Sequence, residues 1–247
     1  DPKFNHPICS TFSLIRTVPR TTFFANSTRG MEMQSQMESR KGSQKIVERV
    51  YEGFAPFYNL VFGKVLFLEG RETSIELLDI KAGQKVLEVG VGTGLTLPLY
   101  PHTCSVVGVD LSPKMLQEAE ALIRKKKLKN CTVRVMNATN LEYPDNTFDR
   151  VLGNLFISAT SFPRESLLEM KRVCKPGGVI VLMNHFKSEH KFLGTMETAF
   201  NPIAQQIGFK SNLEMVPLLE SVGLKPKSVR KVNMFNMWTA VSMDNKK

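Results

Sequence analysis

The stretch that decides the fold is Val86-Leu87-Glu88-Val89-Gly90-Val91-Gly92-Thr93-Gly94, in which an apolar run leads directly into three glycines. The run is typical of a buried strand. Glycine suits the residues after it, because the backbone must turn tightly and admit a ligand where a Cβ would intrude. In doubly wound sheets, ligands bind at the carboxyl ends of the strands. These residues therefore predict a first strand followed by a ligand-binding loop.

A second signal comes from the next apolar run, Val106-Val107-Gly108-Val109-Asp110, which ends in a carboxylate. A carboxylate at this strand end can accept two hydrogen bonds from a ribose diol. The glycine spacing differs from the G-x-G-x-x-G of dinucleotide sites, and Glu88 just before the glycines would repel a phosphate. Together the two motifs indicate a nucleoside ligand with a cationic part, such as a sulfonium amino acid.

Predicted strands and helices alternate along the chain. Apolar runs predict strands at Lys85–Val89, Ser105–Val109, Thr132–Met136, Arg150–Leu155 and Val179–Met183, and at about 226–232 and 234–243. Helices are predicted over Pro113–Lys127 with Ser112 as N-cap, over Arg164–Val173 with Pro176-Gly177-Gly178 as its stop, and at about 192–207 and 211–222. This alternation predicts an α/β protein with a doubly wound, Rossmann-like sheet of seven strands. The sheet should be mostly parallel, with an antiparallel last strand in an edge hairpin.

The chain before residue 81 is predicted to have two parts. Residues 1–30 contain no acid after Asp1, and their Arg, Ser, Thr and Phe content fits a mitochondrial or plastid transit peptide or an unstructured tail. Residues 31–80 are predicted to form lid helices that also contact a membrane, because apolar residues recur at steps of three or four from Lys45 to Leu68. Residues 81–247 are then the ligand-binding domain.

The composition of the 247 residues, 42% hydrophobic and 23% charged, excludes a disordered or fibrous chain. A net charge of +10 indicates an anionic partner, which could be nucleic acid or a lipid surface. The uncharged run Val89–Val109 could span a bilayer by length, but its glycines and prolines argue against a membrane helix. The Cys and His spacings predict no metal site, and no basic patch with interleaved aromatics predicts nucleic-acid binding. We expect an intracellular, peripheral membrane protein.

The sequence resembles the class I S-adenosylmethionine-dependent methyltransferases, of the type 11 kind, over about residues 46–243. The resemblance rests on the glycine motif, Asp110, Asn137-Ala138, and the runs 144–149 and 172–178. It implies S-adenosyl-L-methionine as the cofactor. The implied cofactor-binding residues are Glu88, Gly90, Gly92 and Gly94 around the methionine part and ribose, Asp110 on the ribose hydroxyls, Leu111 and Met115 near adenine, Asn137 and Ala138 at the adenine edge, and Asn154 facing the methyl group. The family usually has Asp at position 137, and the Asn137 amide oxygen can accept from the adenine amino group.

A more specific resemblance is to the soluble bacterial phosphatidylethanolamine N-methyltransferases, which implies methylation toward phosphatidylcholine. It rests on the runs 50–63, 97–100 and Asn184-His185-Phe186, with Glu52 and Asn59 standing where Asp is usual. The attacking amine must lose a proton, and His185 could take it as a general base or could serve only the structure. Tyr51 and Tyr58 could hold the methylated cation against their rings or belong to the core. These three are the predicted catalytic residues.

The sequence leaves other functions open. Similar N-terminal segments occur in C-methyltransferases of quinone precursors, so such a precursor or another small lipophilic acceptor is an alternative. A methyltransferase-like assembly or binding subunit without activity is another. A nucleic-acid methylase ranks last, because no Asn-Pro-Pro-aromatic run follows the fourth predicted strand. For the lipid hypothesis, Lys45, Arg49 and Lys64 would contact anionic lipid while Phe54, Phe57 and Phe62 insert, although these phenylalanines could equally pack on the domain.

Overall fold

The computed structural model describes residues 67–186, 213–233 and 237–247. In chain order these residues form α1 (Leu68–Leu78), β1 (Lys85–Val89), a 3₁₀ turn (Leu97–Leu99), β2 (Ser105–Asp110), α2 (Pro113–Lys126), β3 (Cys131–Val135), β4 (Phe148–Asn154), α3 (Pro163–Val173), β5 (Cys174–Asn184), α4 (Met215–Glu220), β6 (Ser228–Val232) and β7 (Trp238–Asp244). No helix within these ranges has the length and hydropathy that a bilayer crossing requires. The helix predicted at 192–207 and the segment 45–66 lie outside the described residues.

The seven strands form one sheet in the order β3-β2-β1-β4-β5-β7-β6. Strands β1 to β5 pair in parallel, whereas β7 runs antiparallel to both of its neighbours, β5 and β6. This arrangement confirms the predicted doubly wound α/β fold with an edge hairpin. The chain leaves β1 toward β2 on one side and later returns to β4 on the other. The crevice between these two directions is where such sheets bind ligands.

Both faces of the sheet are buried by apolar side chains. On β1, Val86 and Leu87 point to opposite faces and belong to different core clusters. The cluster on one face includes Leu167 and Met170 of α3, and the cluster on the other face includes Leu116 of α2. Burial on both faces explains why the parallel strands read as continuous apolar runs rather than as alternating ones.

The junction of α3 and β5 differs from the sequence prediction. Helix α3 ends at Val173 as predicted, but Pro176-Gly177-Gly178 does not stop it, because β5 already begins at Cys174. The pairing with β4 shifts here, from Phe148 opposite Cys174 to Arg150 opposite Val179, so these residues form an irregular widening at the start of β5. The Asn245 side chain supports it by donating to the Cys174 carbonyl at 2.8 Å and to the Lys175 carbonyl at 3.2 Å.

Helix α1 lies within the segment 31–80 and packs on β5 and β7. The Gly70 N–H donates to Asn233 Oδ1 at 2.8 Å, and the Asn233 N–H donates to Glu69 Oε2 at 2.9 Å. A Cβ at Gly70 would lie 2.7 Å from Asn233 Nδ2, so glycine permits this close approach. Beside this contact, the rings of Phe67 and Trp238 meet edge to face, with centroids 4.9 Å apart. The helix is therefore docked on the β6–β7 hairpin.

Arg172 joins α3 to the loop between β3 and β4. Its guanidinium donates to both carboxylate oxygens of Glu169 at 2.7 and 2.8 Å, to Asp145 Oδ1 at 2.8 Å, and to the carbonyls of Tyr143 and Leu141, each at 2.8 Å. All five N–H donors of the side chain therefore have an acceptor. This fork holds the loop that follows β3 against the helix.

We expect Arg172→Lys to lower the free energy of unfolding by about 1–3 kcal/mol, because an ammonium cannot reach five acceptors in a plane. Urea denaturation followed by circular dichroism measures the change. The matched control is Arg124→Lys, which alters only an exposed pair with Glu120 at 3.6 Å and should stay within about 0.5 kcal/mol of the wild type. Equal stability of both variants would contradict the role given to Arg172.

Candidate functional site

A cleft opens at the carboxyl ends of β1, β2 and β4 and measures about 1130 Å³ out to its mouth. Nine of the ten predicted cofactor-binding residues line it, namely Glu88, Gly90, Gly92, Asp110, Leu111, Met115, Asn137, Ala138 and Asn154. Gly94 does not line the cleft. A Cβ there would lie 2.9 Å from the Leu97 side chain and 3.1 Å from Ala119 Cβ, so the close packing of the loop on α2 accounts for this glycine.

The glycine loop follows β1 without an intervening residue. Gly90 and Gly92 have φ values of 72° and 55°, a region that favours glycine. The Gly90 and Val91 N–H groups both donate to the Val109 carbonyl, at 2.8 and 3.0 Å, and fix the loop beside β2. A Cβ on Gly90 would meet the Phe156 ring at 2.5 Å, whereas a Cβ on Gly92 would enter open space. Gly92 thus leaves room for a ligand against the backbone.

Asp110 lies at the end of β2 and bridges two loops. Its Oδ2 accepts from the Gly92 N–H at 2.8 Å, and its Oδ1 accepts from the Ser112 N–H at 3.0 Å. Burial raises the pKa of this carboxyl, and the backbone N–H donors act in the opposite direction. Each oxygen retains a further lone-pair site, so the carboxylate can still accept two hydroxyl groups.

Glu88 is 1% exposed and lies under the glycine loop. Burial raises the pKa of its carboxyl to about 7, while hydrogen bonds from Tyr100 and Thr96 and the charge of Arg71 act against that rise. The Tyr100 hydroxyl donates to Glu88 Oε2 at 3.0 Å. The carboxyl therefore keeps its proton to a higher pH than an exposed glutamate does, and a nearby cationic ligand would favour the ionised form.

The end of β4 forms the opposite wall of the cleft. Asn154 is 8% exposed, and its Nδ2 donates to Thr96 Oγ1 at 3.4 Å. Its Oδ1 is buried and has no hydrogen-bond partner among the residues that the structure describes. Leu155 follows with a φ of 54°, a conformation that strains a branched side chain by about 1–3 kcal/mol. Strain of this kind is concentrated at functional sites, and here it turns Phe156 over Gly90.

Asn137 begins the loop after β3 and lines the cleft, as predicted. Its Oδ1 accepts from both the Thr139 N–H at 3.0 Å and the Thr139 hydroxyl at 2.9 Å. These two bonds hold the conformation of the loop at this end of the cleft. Contact of Asn137 with an adenine edge stays a prediction.

The three predicted catalytic residues are not brought together in the described part of the chain. His185 follows β5, is 6% exposed and does not line the cleft. Its Nδ1 lies 2.9 Å from the Met237 carbonyl oxygen, and its ring centroid lies 6.0 Å from that of Trp238. Tyr51 and Tyr58 lie outside the described residues. The catalytic roles stay predictions.

Several lining residues were missed by the sequence reasoning. They include Arg71, Thr93, Thr96 and Phe156, and Tyr100 supports the site through its bond to Glu88. The run 97–100 contributes only to a resemblance. No local pattern in the sequence indicates that Tyr100 reaches the buried Glu88. Arg71 lies on α1, before the strand and glycine motif, so no spacing rule connects it with the cleft.

Comparisons with known proteins agree with this site. A family model described as a methyltransferase domain matches residues 87–182. The phosphatidylethanolamine N-methyltransferase of Cereibacter sphaeroides is 38% identical over 188 residues, which cover 74% of this chain and 91% of that protein. The demethylmenaquinone methyltransferase of Tropheryma whipplei is 36% identical over 125 residues, and the match spans 50% of this chain and 51% of the relative.

A solved structure shows the same fold. The S-adenosylmethionine-dependent methyltransferase of Aquifex aeolicus superposes with a TM-score of 0.55 at 24% identity, covering 72% of this chain and 91% of that one. The cleft of the present protein thus lies in a fold shared with a protein of that description.

The buried Glu88 carboxyl should make the stability of the ligand-free protein depend on pH. Its pKa rises from 4.5 to about 7 on folding, so the folded protein retains a proton that the unfolded chain releases. Stability from this group is therefore lost as pH rises through that window, by about 2–3 kcal/mol. Glu88→Gln, which stays neutral, should show a correspondingly flatter profile of unfolding free energy between about pH 5 and pH 8.

The control for this experiment is Glu118→Gln, an exposed substitution of the same kind on α2. Its profile should follow the wild type. Parallel profiles for the wild type and Glu88→Gln would show that Glu88 does not titrate in this range.

Proposed function

Because this chain belongs to the family of S-adenosylmethionine-dependent methyltransferases, we propose that it N-methylates phosphatidylethanolamine toward phosphatidylcholine at a membrane surface. The observation that carries the proposal is the extent of the similarity to the bacterial phosphatidylethanolamine N-methyltransferase. That alignment is 188 residues long, whereas the methyltransferase family model spans residues 87–182 only. The similarity therefore includes residues beyond the common cofactor-binding part, where enzymes of one fold differ in substrate.

S-adenosyl-L-methionine is the cofactor, and the cleft residues fit it. Asp110 has lone-pair sites for the two ribose hydroxyls, and the open space at Gly92 admits a ligand against the loop. The buried, unpartnered Oδ1 of Asn154 offers an acceptor inside the cleft. Leu111 and Met115 provide apolar surface beside Asp110 for a base. The cofactor supplies a methyl group that its positively charged sulfur has already activated.

The chain mainly has to align its ligands and exclude water from them. The glycine loop and Asp110 hold one side of the cleft in a fixed geometry through backbone hydrogen bonds. Phe156 covers the loop from the opposite side and contributes an apolar wall. This apolar wall would help to keep water away from a bound cofactor and acceptor.

For the proton of the acceptor amine we propose His185 as the general base. A carbonyl oxygen only accepts hydrogen bonds, so the short contact with Met237 assigns the proton of a neutral His185 ring to Nδ1. The basic lone pair is then on Nε2. Tyr51 and Tyr58 are proposed to hold the methylated head group.

The proposed membrane contact rests on charge and on the sequence of residues 45–68. Lys45, Arg49 and Lys64 flank apolar positions that recur with helical spacing, in a chain of net charge +10. Attraction to anionic lipid is worth about 1 kcal/mol per basic residue near the surface. On this proposal the protein is intracellular and peripheral, in a mitochondrion or plastid if residues 1–30 act as a transit peptide.

The second candidate is C-methylation of a quinone precursor, which the similarity to the demethylmenaquinone methyltransferase favours. The chain spans about half the length of that relative. The shared part includes the cofactor side, which several acceptor classes use alike.

We expect Asp110→Asn to weaken binding of S-adenosylhomocysteine by about 2 kcal/mol, or roughly thirtyfold. The amide replaces one acceptor oxygen by an NH2 group. That group would point its N–H donors at a backbone N–H and at a ribose hydroxyl, both of which donate to the carboxylate. Isothermal titration calorimetry measures the change. Asp79→Asn removes the same charge at an exposed site and serves as the control. An unchanged dissociation constant for Asp110→Asn would exclude its role in holding the ribose.

The acceptor is tested by incubating the protein with methyl-labelled S-adenosylmethionine and either phosphatidylethanolamine vesicles or a demethylated quinone precursor. We expect label in the lipid head group, with a higher rate when the vesicles contain anionic lipid. Label found only in the quinone would replace the lipid proposal by the second candidate.

The membrane part is tested with the variant Lys45→Gln/Arg49→Gln/Lys64→Gln. It should bind anionic vesicles at least several fold more weakly in sedimentation, with unchanged cofactor affinity, because each lost charge removes about 1 kcal/mol. The matched control replaces the exposed Lys125, Lys126 and Lys129 near the end of α2 and loses the same charge. An equal loss in both variants would indicate general electrostatics rather than a membrane-contact segment.

A further inference from the structure

Arg71 lies outside the sequence motifs that predict the cofactor site, yet it lines the cleft. It lies in the first turns of α1 and is 4% exposed. Glu88 is close enough to feel its charge, and the Thr96 side chain bonds to Glu88; both residues also line the cleft. A buried guanidinium presents planar N–H donors that match a carboxylate or a phosphate.

The charges around Arg71 suggest which ligand group lies there. Its positive charge acts on Glu88, since it opposes the rise of the Glu88 pKa that burial causes. This end of the cleft therefore combines a fixed cation with an acid, and Asn154 adds a buried acceptor oxygen without a partner. A zwitterionic amino-acid group, with one carboxylate and one ammonium, complements this combination. The Asp110 end, by contrast, offers acceptors for hydroxyl groups.

We propose that Arg71 binds the carboxylate of the amino-acid part of S-adenosylmethionine and thereby fixes the direction in which the cofactor lies in the cleft. The inference concerns the cofactor and does not depend on phosphatidylethanolamine being the acceptor. It also explains why α1 belongs to the binding site although it precedes the first strand of the sheet.

The position of Arg71 favours the cofactor over the phosphodiester of a lipid acceptor. A lipid head group must approach through the open mouth, whereas Arg71 is almost completely buried beside the glycine loop region. The preceding residue, Gly70, is anchored to Asn233 at 2.8 Å. This anchor holds the backbone of Arg71 in place before any ligand binds, so little conformational entropy is lost when the guanidinium engages its partner.

The test compares three ligands by calorimetry. S-adenosylhomocysteine has both the carboxylate and the amino group, its decarboxylated analogue has only the amino group, and methylthioadenosine has neither. Arg71→Met should weaken S-adenosylhomocysteine binding at least about tenfold and change the other two by less than about twofold. Arg71→Lys should lose less, because the charge remains while the planar fork is lost. Arg134→Met, an exposed substitution on β3, is the control and should bind all three ligands as the wild type does.

Two results would overturn the proposal. An equal loss of affinity for all three ligands would mean that Arg71 supports the packing of α1 rather than the carboxylate. Unchanged S-adenosylhomocysteine affinity together with a raised KM for phosphatidylethanolamine vesicles would assign the guanidinium to a phosphate instead. Because the ligands lack a transferable methyl group, the binding result stands whichever acceptor the enzyme uses.

Discussion

The Asp110 carboxylate is the interaction on which the cleft depends. One oxygen holds the glycine loop after β1 through Gly92, and the other holds the start of α2 through Ser112. The two loops are neighbours because Val89 and Val109 are paired in register. A single side chain thus closes the gap between two strand ends. If Asp110 also binds the ribose, as we propose, ligand binding and the joining of the two loops depend on the same two oxygen atoms.

Other charged residues of the family motifs support the scaffold rather than the ligand. Asp149 accepts from the Lys85 N–H at 2.8 Å and from Lys175 Nζ at 2.6 Å, and so links the starts of β1 and β5 around β4. Arg172 ties the loop after β3 to α3. These residues lie in the runs 144–149 and 172–178 that carried the resemblance. In this structure they hold loops in place, so they carry no information about the acceptor.

The parts of the fold that could be predicted are those determined by local patterns. The apolar runs located β1 to β4 to within two residues and found β5 without its first five residues. Ser112 caps α2 as its spacing indicated, accepting from the Met115 N–H at 3.3 Å. The glycine loop and Asp110 were found because they adjoin strand ends. The bonds from Thr139 to the Asn137 oxygen could not be predicted, because they depend on the exact loop conformation. The prediction that Pro176-Gly177-Gly178 ends α3 was wrong, because β5 already begins at Cys174. The irregular start of that strand is supported by Asn245, which lies far along the chain.

Tyr100 and Arg71 could not be found from the sequence for a different reason. Each reaches the site through tertiary packing, and neither belongs to a run that ends at the cleft. The Tyr100 bond to Glu88 requires the 3₁₀ turn to fold back under β1, and Arg71 requires α1 to dock on strands from the other end of the chain. Sequence patterns predict contacts between residues close in the chain, whereas these two contacts depend on how distant helices and strands pack together.

The docking of α1 also has a consequence for how the protein is made. Gly70 and Asn233 are separated by 163 positions, and both ends of that contact are needed to seat the helix. Ribosomal synthesis delivers the helix well before its anchor, so this wall of the cleft cannot be completed until the segment with Asn233 has been made. Contacts this distant slow folding, because a long loop must close before they form. Until the β6–β7 hairpin arrives, the nascent chain exposes the apolar edge of β5 and the face of α1 that packs on it. In that interval it is prone to aggregate.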